Sequence, residues 1–193
     1  MKNIILSILE SSIATKRDCI ENNLDQIIRA VEMLAACLIR GNKVLIFGNG
    51  GSAADAQHLA AEFVNRFQIE RPPLAAVALT TDTSILTSIG NDYHFDDIFS
   101  KQVEALGRPG DIAWGISTSG NSANVVQAVK TAQKLGLQTI GMTGRAGKLA
   151  DCVDLVFAVA SDTTARIQET HITVGHILCD LVDRKLYPDE FRD

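Results

Sequence analysis

The chain has 193 residues, of which 46% are hydrophobic and 21% are charged, and its formal net charge is −5 at pH 7. This composition is typical of a globular protein and excludes long disordered regions. The negative net charge argues against a general nucleic-acid-binding protein, which usually carries a basic face. No apolar run approaches the roughly 20 residues that span a bilayer, and the first residues lack the apolar core of a signal peptide. We therefore expect a cytoplasmic protein with neither a nucleic-acid partner nor a membrane partner.

Residues 1–40 are predicted to form an N-terminal helical arm. Apolar residues recur there at helical spacing, and Gly41 and Asn42 end the pattern. The first 18 residues carry many apolar side chains for a terminal arm. We expect this segment to pack against another part of the protein or against another subunit.

Residues 41–193 consist of short apolar runs that alternate with helical stretches. Continuous apolar strands separated by helices indicate a parallel sheet covered on both faces. The predicted fold is α/β, a doubly wound, five-stranded parallel sheet in a flavodoxin-like sandwich with N-terminal helices, and residues 1–193 are treated as one domain. A long helix from about residue 163 to 186 closes the chain. The five predicted strands are 44–47, 75–79, 112–116, 138–142 and 155–159.

Two loops at predicted strand ends have the composition of a phosphate-binding site. Gly48-Asn49-Gly50-Gly51-Ser52 follows the first strand, Ser117-Thr118-Ser119-Gly120-Asn121-Ser122 follows the third, and a helix follows each loop. Glycines let backbone amides approach a ligand closely, and a helix N-terminus favours an anion. A polar turn with a capping serine would need only one of the four hydroxyls in the second loop. Neither a Walker lysine nor an arginine cluster accompanies the loops, so we expect a phosphate that is held rather than transferred.

The first loop also fits a dinucleotide-binding pattern. Gly48, Gly50 and Ala53 match G-x-G-x-x-G/A. The acidic residue expected about 20 positions further on is missing, because Asp82 after the second strand comes late. A dehydrogenase is therefore the less favoured interpretation.

Four side chains on two predicted helices are candidates for chemistry. His58 and Glu62 are four residues apart on the helix after the first loop, which places them on one face. Gln168 and His176 lie about 12 Å apart along the last helix, among apolar residues. Imidazole and carboxylate groups suit zinc and related metals. Spacing alone leaves open whether the residues converge on one ion, share proton transfer, serve a site shared with another subunit or make structural contacts.

Several segments resemble the sugar isomerase (SIS) domain superfamily and, within it, the phosphoheptose isomerase family. They are G-N-G-G-S, S-T-S-G-N-S, A-D-A-Q-H-L-A-A-E, A-R-I-Q-E-T-H-I-T-V-G-H and I-G-N-D-Y at residues 89–93, and the resemblance covers nearly the whole chain. It implies a cytoplasmic homotetramer, with active sites between subunits, that converts sedoheptulose 7-phosphate to D-glycero-D-manno-heptose 7-phosphate. This reaction is the first step toward the ADP- or GDP-heptose precursors of bacterial surface polysaccharide.

The resemblance also implies roles for individual residues. One zinc ion per subunit would be ligated by His58, Glu62, Gln168 and His176. Moving a carbonyl from C2 to C1 through an enediolate needs a base beside the carbonyl and an acid at oxygen, and we assign Glu62 as the base and His176 as the acid. Ala165 departs from some relatives, which carry an aspartate before Arg-Ile-Gln. The implied contacts to the sugar phosphate are Asn49, Gly50, Gly51, Ser52, Glu62, Asn91, Asp92, Ser117, Thr118, Ser119, Ser122 and Gln168.

Two other members of the superfamily remain as alternatives. A non-enzymatic, replication-initiator-binding paralogue resembles this chain in Asn65-Arg66-Phe67 and Glu70-Arg71-Pro72, but it lacks the equivalents of Glu62 and His176. A sugar-phosphate sensor domain for an amino-sugar or N-acetylmuramate phosphate keeps the serine loop without the four candidate ligands.

Overall fold

The computed structural model describes residues 1–191, and its elements follow the predicted order. Short 3₁₀ turns at Phe95–Asp97, Ala150–Cys152 and Pro188–Phe191 complete the described chain. The helices and strands are α1 (Lys2–Glu21), α2 (Leu24–Ile39), β1 (Val44–Gly48), α3 (Gly51–Val64), β2 (Ala76–Ala78), α4 (Thr83–Asp92), α5 (Ser100–Leu106), β3 (Ile112–Ser117), α6 (Ala123–Lys134), β4 (Gln138–Thr143), β5 (Leu155–Ala158) and α7 (Thr164–Leu186).

The strands form one parallel sheet in the order β2-β1-β3-β4-β5. This order confirms the predicted doubly wound parallel sheet. The largest difference in strand bounds is in β2, which is shorter than the predicted 75–79. β2 is an edge strand that pairs only with β1, and its Val77 side chain is exposed, so fewer contacts hold its ends in place.

The strands bury both faces, because their side chains alternate between two cores. Val44 and Ile46 of β1 point into the core that α2, α3 and α7 cover. Leu45 and Phe47 point into the opposite core, beneath α5 and α6. The period-2 geometry of a strand sends neighbouring side chains to opposite faces, which explains why β1 is apolar throughout.

The carboxyl ends of β1 and β3 form the topological switch point of the sheet. β2 lies on one side of β1 and β3 on the other, so the chain leaves these two neighbouring strands toward opposite faces. Gly48 pairs with Ile116 at the end of the ladder. The glycine loop after β1 and the serine loop after β3 therefore begin side by side, where open α/β sheets bind ligands.

The N-terminal arm packs against α7. Ser12 Oγ donates to Glu169 Oε2 at 2.7 Å, and Arg166 Nη1 donates to the Ile8 carbonyl oxygen at 2.8 Å. Cys19 is the one buried residue of α1. The large apolar side chains that α1 leaves exposed are Ile4, Ile5, Leu6, Ile8, Leu9 and Ile13.

None of the helices in residues 1–191 combines the length and the apolar character needed to cross a membrane.

Candidate active site

The glycine loop has a backbone conformation that favours glycine at Gly50, and it lies close to α7 at Gly51. Gly50 precedes α3 with a φ of 55° and a ψ of −120°, a region that residues with a Cβ rarely occupy. A Cβ added to Gly51 would collide with the Gln168 side-chain amide of α7. Ser52 is buried beneath the loop. The loop thus exposes backbone at the start of α3 and brings α7 close to it.

A pair of asparagine side chains ties the two loops together. The Asn49 and Asn124 amides each donate to the side-chain oxygen of the other at 2.9 Å. Asn124 is buried in the first turn of α6, directly after the serine loop. The Asn49 side chain therefore braces the loops, and its predicted contact to substrate stays a prediction.

The serine loop gathers three hydroxyls at the start of α6. Ser117 Oγ lies 2.8 Å from Ser122 Oγ and 3.4 Å from Ser119 Oγ. The Ser122 side chain makes no capping hydrogen bond to α6. The simple explanation of a capping serine therefore fails, and the hydroxyls lie beside a helix N-terminus that favours an anion.

An open cavity of about 330 Å³ lies beside the serine loop. Thr118 and Ser119 line one side, and Thr164 from the first turn of α7 lines another. Arg145 and Asp162, which form an exposed ion pair at 3.0 Å, also line it. This cavity opens between the predicted phosphate loop and the helix that carries Gln168.

Asp82, the acid considered for a dinucleotide ribose, has a structural role. Its carboxylate accepts a hydrogen bond from the Ile85 backbone N–H at 2.9 Å and caps α4. A capping carboxylate is already engaged, which further weakens the dehydrogenase interpretation.

His58, Glu62 and His176 converge where α3 meets α7. His58 Nε2 lies 2.8 Å from His176 Nε2 and 3.4 Å from Glu62 Oε1. All three potential ligand atoms lie within 4.8 Å of one another. The His58 side chain is 48% exposed and the Glu62 side chain 20%, so the cluster is open to a small ligand.

The donor set of this cluster fits a first-row metal. Zinc–nitrogen distances of about 2.0–2.1 Å place tetrahedral ligand atoms about 3.4 Å apart. The His58–Glu62 distance of 3.4 Å agrees with this spacing. The 2.8 Å between the imidazole nitrogens of His58 and His176 is a hydrogen-bond distance and is shorter than this spacing.

The surroundings of His176 favour its neutral form. Burial lowers the pKa of His176, the neighbouring His58 lowers it further, and Glu62 acts in the opposite direction. The Phe67 ring lies against the imidazole with a centroid distance of 5.4 Å. Only the neutral ring has a lone pair for a metal, so this environment suits a metal ligand.

The other predicted site residues are Gln168, Asn91 and Asp92. The Gln168 amide lies against Gly51, about two turns before His176 on α7. Asn91 donates to Asp92 Oδ1 at 2.8 Å at the end of α4, a helix without a buried residue. Within residues 1–191, no hydrogen bond joins Asn91 or Asp92 to the two loops or to the His/Glu/His cluster, and their substrate contacts stay predictions.

Two residues beside the cluster were missed by the sequence analysis. Asp55 precedes His58 by one turn, and its Oδ2 is buried without a hydrogen-bond partner in the part of the chain that the structure describes. Burial raises the pKa of Asp55, and His58 lowers it. Phe67 follows the end of α3 and His176 lies on α7, so no helical spacing relates the two residues. Asp55 shares the A-D-A-Q-H segment with His58 at a spacing of three, a signal that could have identified it.

His171, the other histidine of α7, belongs to the core rather than to the cluster. It is 1% exposed, and its Nε2 donates to the Thr143 carbonyl oxygen at 3.1 Å. Burial lowers the pKa of His171 to about 4 from 6.5, and the hydrogen bond to Thr143 acts in the opposite direction. The unfolded chain therefore binds this proton more readily than the folded protein does.

This shift predicts a loss of stability in acid. The contribution of the neutral His171 ring is complete above pH 6.5 and is lost as the pH falls through about 4. Between about pH 7.5 and 4.5 the expected loss in the free energy of unfolding is roughly 2–3 kcal/mol. His171→Leu removes the titration, and Thr143 keeps the Val159 N–H as a donor. Urea unfolding at both pH values should show a smaller acid-induced loss in the variant, and an equal loss would contradict the assignment.

Comparison with known proteins identifies the family of the chain. The SIS domain family model matches residues 9–144. The phosphoheptose isomerase of Nitratidesulfovibrio vulgaris (strain Hildenborough) is 60% identical over 166 residues, which cover 86% of this chain and 80% of the relative. That of Aquifex aeolicus is 56% identical over 180 residues, with 93% and 94% coverage.

A solved structure agrees over nearly the same length. The phosphoheptose isomerase from Neisseria gonorrhoeae superimposes with a TM-score of 0.89 at 48% identity and covers 94% of this chain and 98% of that chain. The fold, the paired loops and these identities over most of both chains lead to one conclusion. The chain belongs to the SIS domain family and, within it, to the phosphoheptose isomerases.

Proposed function

We propose that this protein is an isomerase that interconverts sedoheptulose 7-phosphate and D-glycero-D-manno-heptose 7-phosphate. The observation that carries the proposal is the convergence of His58, Glu62 and His176 on α3 and α7, in a chain that is 60% identical to a named phosphoheptose isomerase. The product would be the first committed precursor of the heptose units of surface polysaccharide.

The serine loop is the proposed binding site for the phosphate group. Its hydroxyls and the free N–H groups at the start of α6 offer donors to an anion. The exposed backbone of the glycine loop lies beside it across the Asn49–Asn124 pair. A phosphate held there would anchor one end of the sugar and leave its carbonyl end free to react.

Glu62 and His176 are the proposed proton-transfer groups. Glu62 would take a proton from C1 of the ketose while a donor protonates the C2 oxygen, and return of a proton to C2 with loss of the O1 proton completes the aldose. Because burial favours a neutral His176, this residue would donate as an imidazole rather than as an imidazolium ion.

Zinc is the proposed cofactor, held by His58, Glu62, Gln168 and His176. It would supply positive charge beside the oxyanion that develops on the substrate. The nitrogen and oxygen donors of His58, Glu62 and His176 and their spacing support this choice, and Gln168 as a further ligand stays a prediction. Because a carboxylate that binds a metal is a weaker base, the two roles of Glu62 compete, and experiments must separate them.

The proposal includes a cytoplasmic homotetramer with active sites shared between subunits. Two features of the single chain support it. α1 exposes a continuous apolar face, and α4, which carries Asn91 and Asp92, has no buried residue. Burial of these helices against a second subunit would remove apolar surface from water and could bring Asn91 and Asp92 to a neighbouring site.

A substrate panel tests the proposal against its rivals. Purified protein would be incubated with sedoheptulose 7-phosphate, fructose 6-phosphate and N-acetylmuramate 6-phosphate, and the products would be followed by NMR. We expect turnover of the heptulose phosphate alone. Binding of N-acetylmuramate 6-phosphate without any turnover would favour a sensor domain, and a folded protein inactive on all three would favour the non-enzymatic paralogue. The presence of both Glu62 and His176, and the names of the relatives, do not favour that paralogue.

A further inference from the structure

Arg71, in the loop between α3 and β2, carries a fully buried charge. Only 1% of its side chain is exposed, although neighbouring Glu70 is 86% exposed. A buried guanidinium is tolerated only when its charge and its donors have partners. The partners of Arg71 come from both helices of the His/Glu/His cluster.

One set of partners is the carboxyl end of α3. Arg71 Nη2 donates to the Glu62 carbonyl oxygen at 2.8 Å, and Nη1 donates to the Phe63 carbonyl oxygen at 2.7 Å. Nη1 also reaches the carbonyl oxygens of Asn65 and Pro72 at 3.3 Å and 3.2 Å. The last carbonyls of a helix lack intrahelical partners and favour a cation. The guanidinium thus holds the peptide unit of Glu62 itself.

The other partner lies on α7. Arg71 Nε donates to Asp183 Oδ1 at 2.9 Å, and the Asp183 side chain is 2% exposed. Asp183 follows His176 by seven residues, so both lie on the same face of α7, about 10 Å apart along its axis. The ion pair therefore connects the backbone of Glu62 to the helix face that presents His176.

Outside the His/Glu/His cluster, α3 and α7 also meet through apolar packing and through the flexible Gln168 side chain. A Cβ on Gly175 would lie 2.6 Å from Leu59 Cδ2, which shows how closely the helices cross. Gln168 lies against Gly51 at the other end of α3. Apolar packing brings helices together, but it fixes their register less strictly than several charge-assisted hydrogen bonds from one guanidinium do.

We propose that Arg71 and Asp183 are positioning residues, which hold His58 and Glu62 of α3 in register with His176 of α7. The inference rests on the proposed function, because the register concerns the proposed metal and proton-transfer site. Replacement of a buried ion pair by apolar residues is often neutral for stability. Register and stability can therefore be separated by experiment.

The test compares zinc affinity, thermal unfolding and steady-state kinetics in full-length variants. The Arg71→Met/Asp183→Leu double variant removes the pair without leaving a lone buried charge. Arg71→Lys keeps the charge but loses the planar guanidinium with its several N–H donors. This variant is the one to measure if the double variant does not fold. Arg184→Met is a matched control, because it removes an exposed ion pair with Asp180 on the same helix. Val129→Ala removes buried volume from the opposite core and controls for lost stability.

We expect both Arg71 variants to weaken zinc binding, measured by competition with a chromophoric chelator. Outer partners of metal ligands typically contribute 10–100-fold to affinity or activity, and we expect a loss of about that size in the double variant. At saturating zinc, kcat should fall more than KM changes, because the base is displaced while the phosphate site is intact. Arg184→Met and Val129→Ala should bind zinc as the wild type does.

Two results would overturn the inference. One is wild-type zinc affinity and kcat in the folded Arg71 variants. The other is an equal loss of zinc affinity in Val129→Ala at matched thermal stability, which would make the effect one of stability alone. The wild-type protein is the reference for the proposed function: if it neither binds zinc nor turns over sedoheptulose 7-phosphate, the proposed function fails as well, whereas failure confined to the variants leaves it standing.

Discussion

Glu62→Gln is expected to lower kcat for sedoheptulose 7-phosphate by about 1,000-fold at saturating zinc, with the fold intact. General acid–base catalysis contributes about 10²–10⁴-fold, and glutamine keeps the shape of glutamate without its basic oxygen. Saturating zinc compensates for weakened metal binding. The loss of kcat that remains therefore measures the role of Glu62 as a base and not its role as a metal ligand. Steady-state kinetics and thermal unfolding of the variant would measure both quantities.

The matched control for this prediction is Glu104→Gln. Glu104 is an exposed residue of α5, on the opposite face of the sheet from α3. The control should keep wild-type kinetics. Wild-type turnover by Glu62→Gln would show that Glu62 takes no part in the reaction. Turnover that recovers fully at high zinc would show that Glu62 acts as a metal ligand only.

His176→Ala is expected to lose both metal affinity and turnover. The substitution removes the imidazole that lies 2.8 Å from His58 Nε2 and the surface on which Phe67 packs. Loss of a direct ligand should weaken zinc binding by more than the roughly 10–100-fold that an outer partner contributes. Competition with a chromophoric chelator and steady-state kinetics would measure the two losses.

His171→Leu is the control for this substitution, because it removes a buried histidine of the same helix that does not belong to the cluster. It should retain zinc affinity. If His176→Ala binds zinc as tightly as the wild type does, the cluster is not the metal site. The close approach of the two imidazoles would then be a hydrogen bond.

The sequence predicted those features that depend on local patterns. Apolar runs indicated the five strands, and the composition of the two loops indicated an anion site at the sheet edge. The spacing of His58 and Glu62 placed them on one helix face, as observed. Each of these inferences uses residues within about ten positions of one another, where helical and strand periods determine geometry.

The remaining features depend on contacts between distant segments. Spacing could not show that His176 meets His58, because that contact depends on the close crossing of α3 and α7 at Gly175. Nor could it show the Asn49–Asn124 pair, whose members are 75 residues apart. Asn91 and Asp92 lie on a helix that is uncovered in the single chain, so their role depends on what packs against α4.

The most direct test of the proposed function is a coupled assay on sedoheptulose 7-phosphate. The protein would be treated with a chelator, metal removal would be verified, and turnover would be measured with and without added zinc. We expect turnover that is lost with the metal and restored by zinc. Equal turnover in both conditions would contradict the role of zinc, and a folded protein without turnover in either would contradict the isomerase assignment itself.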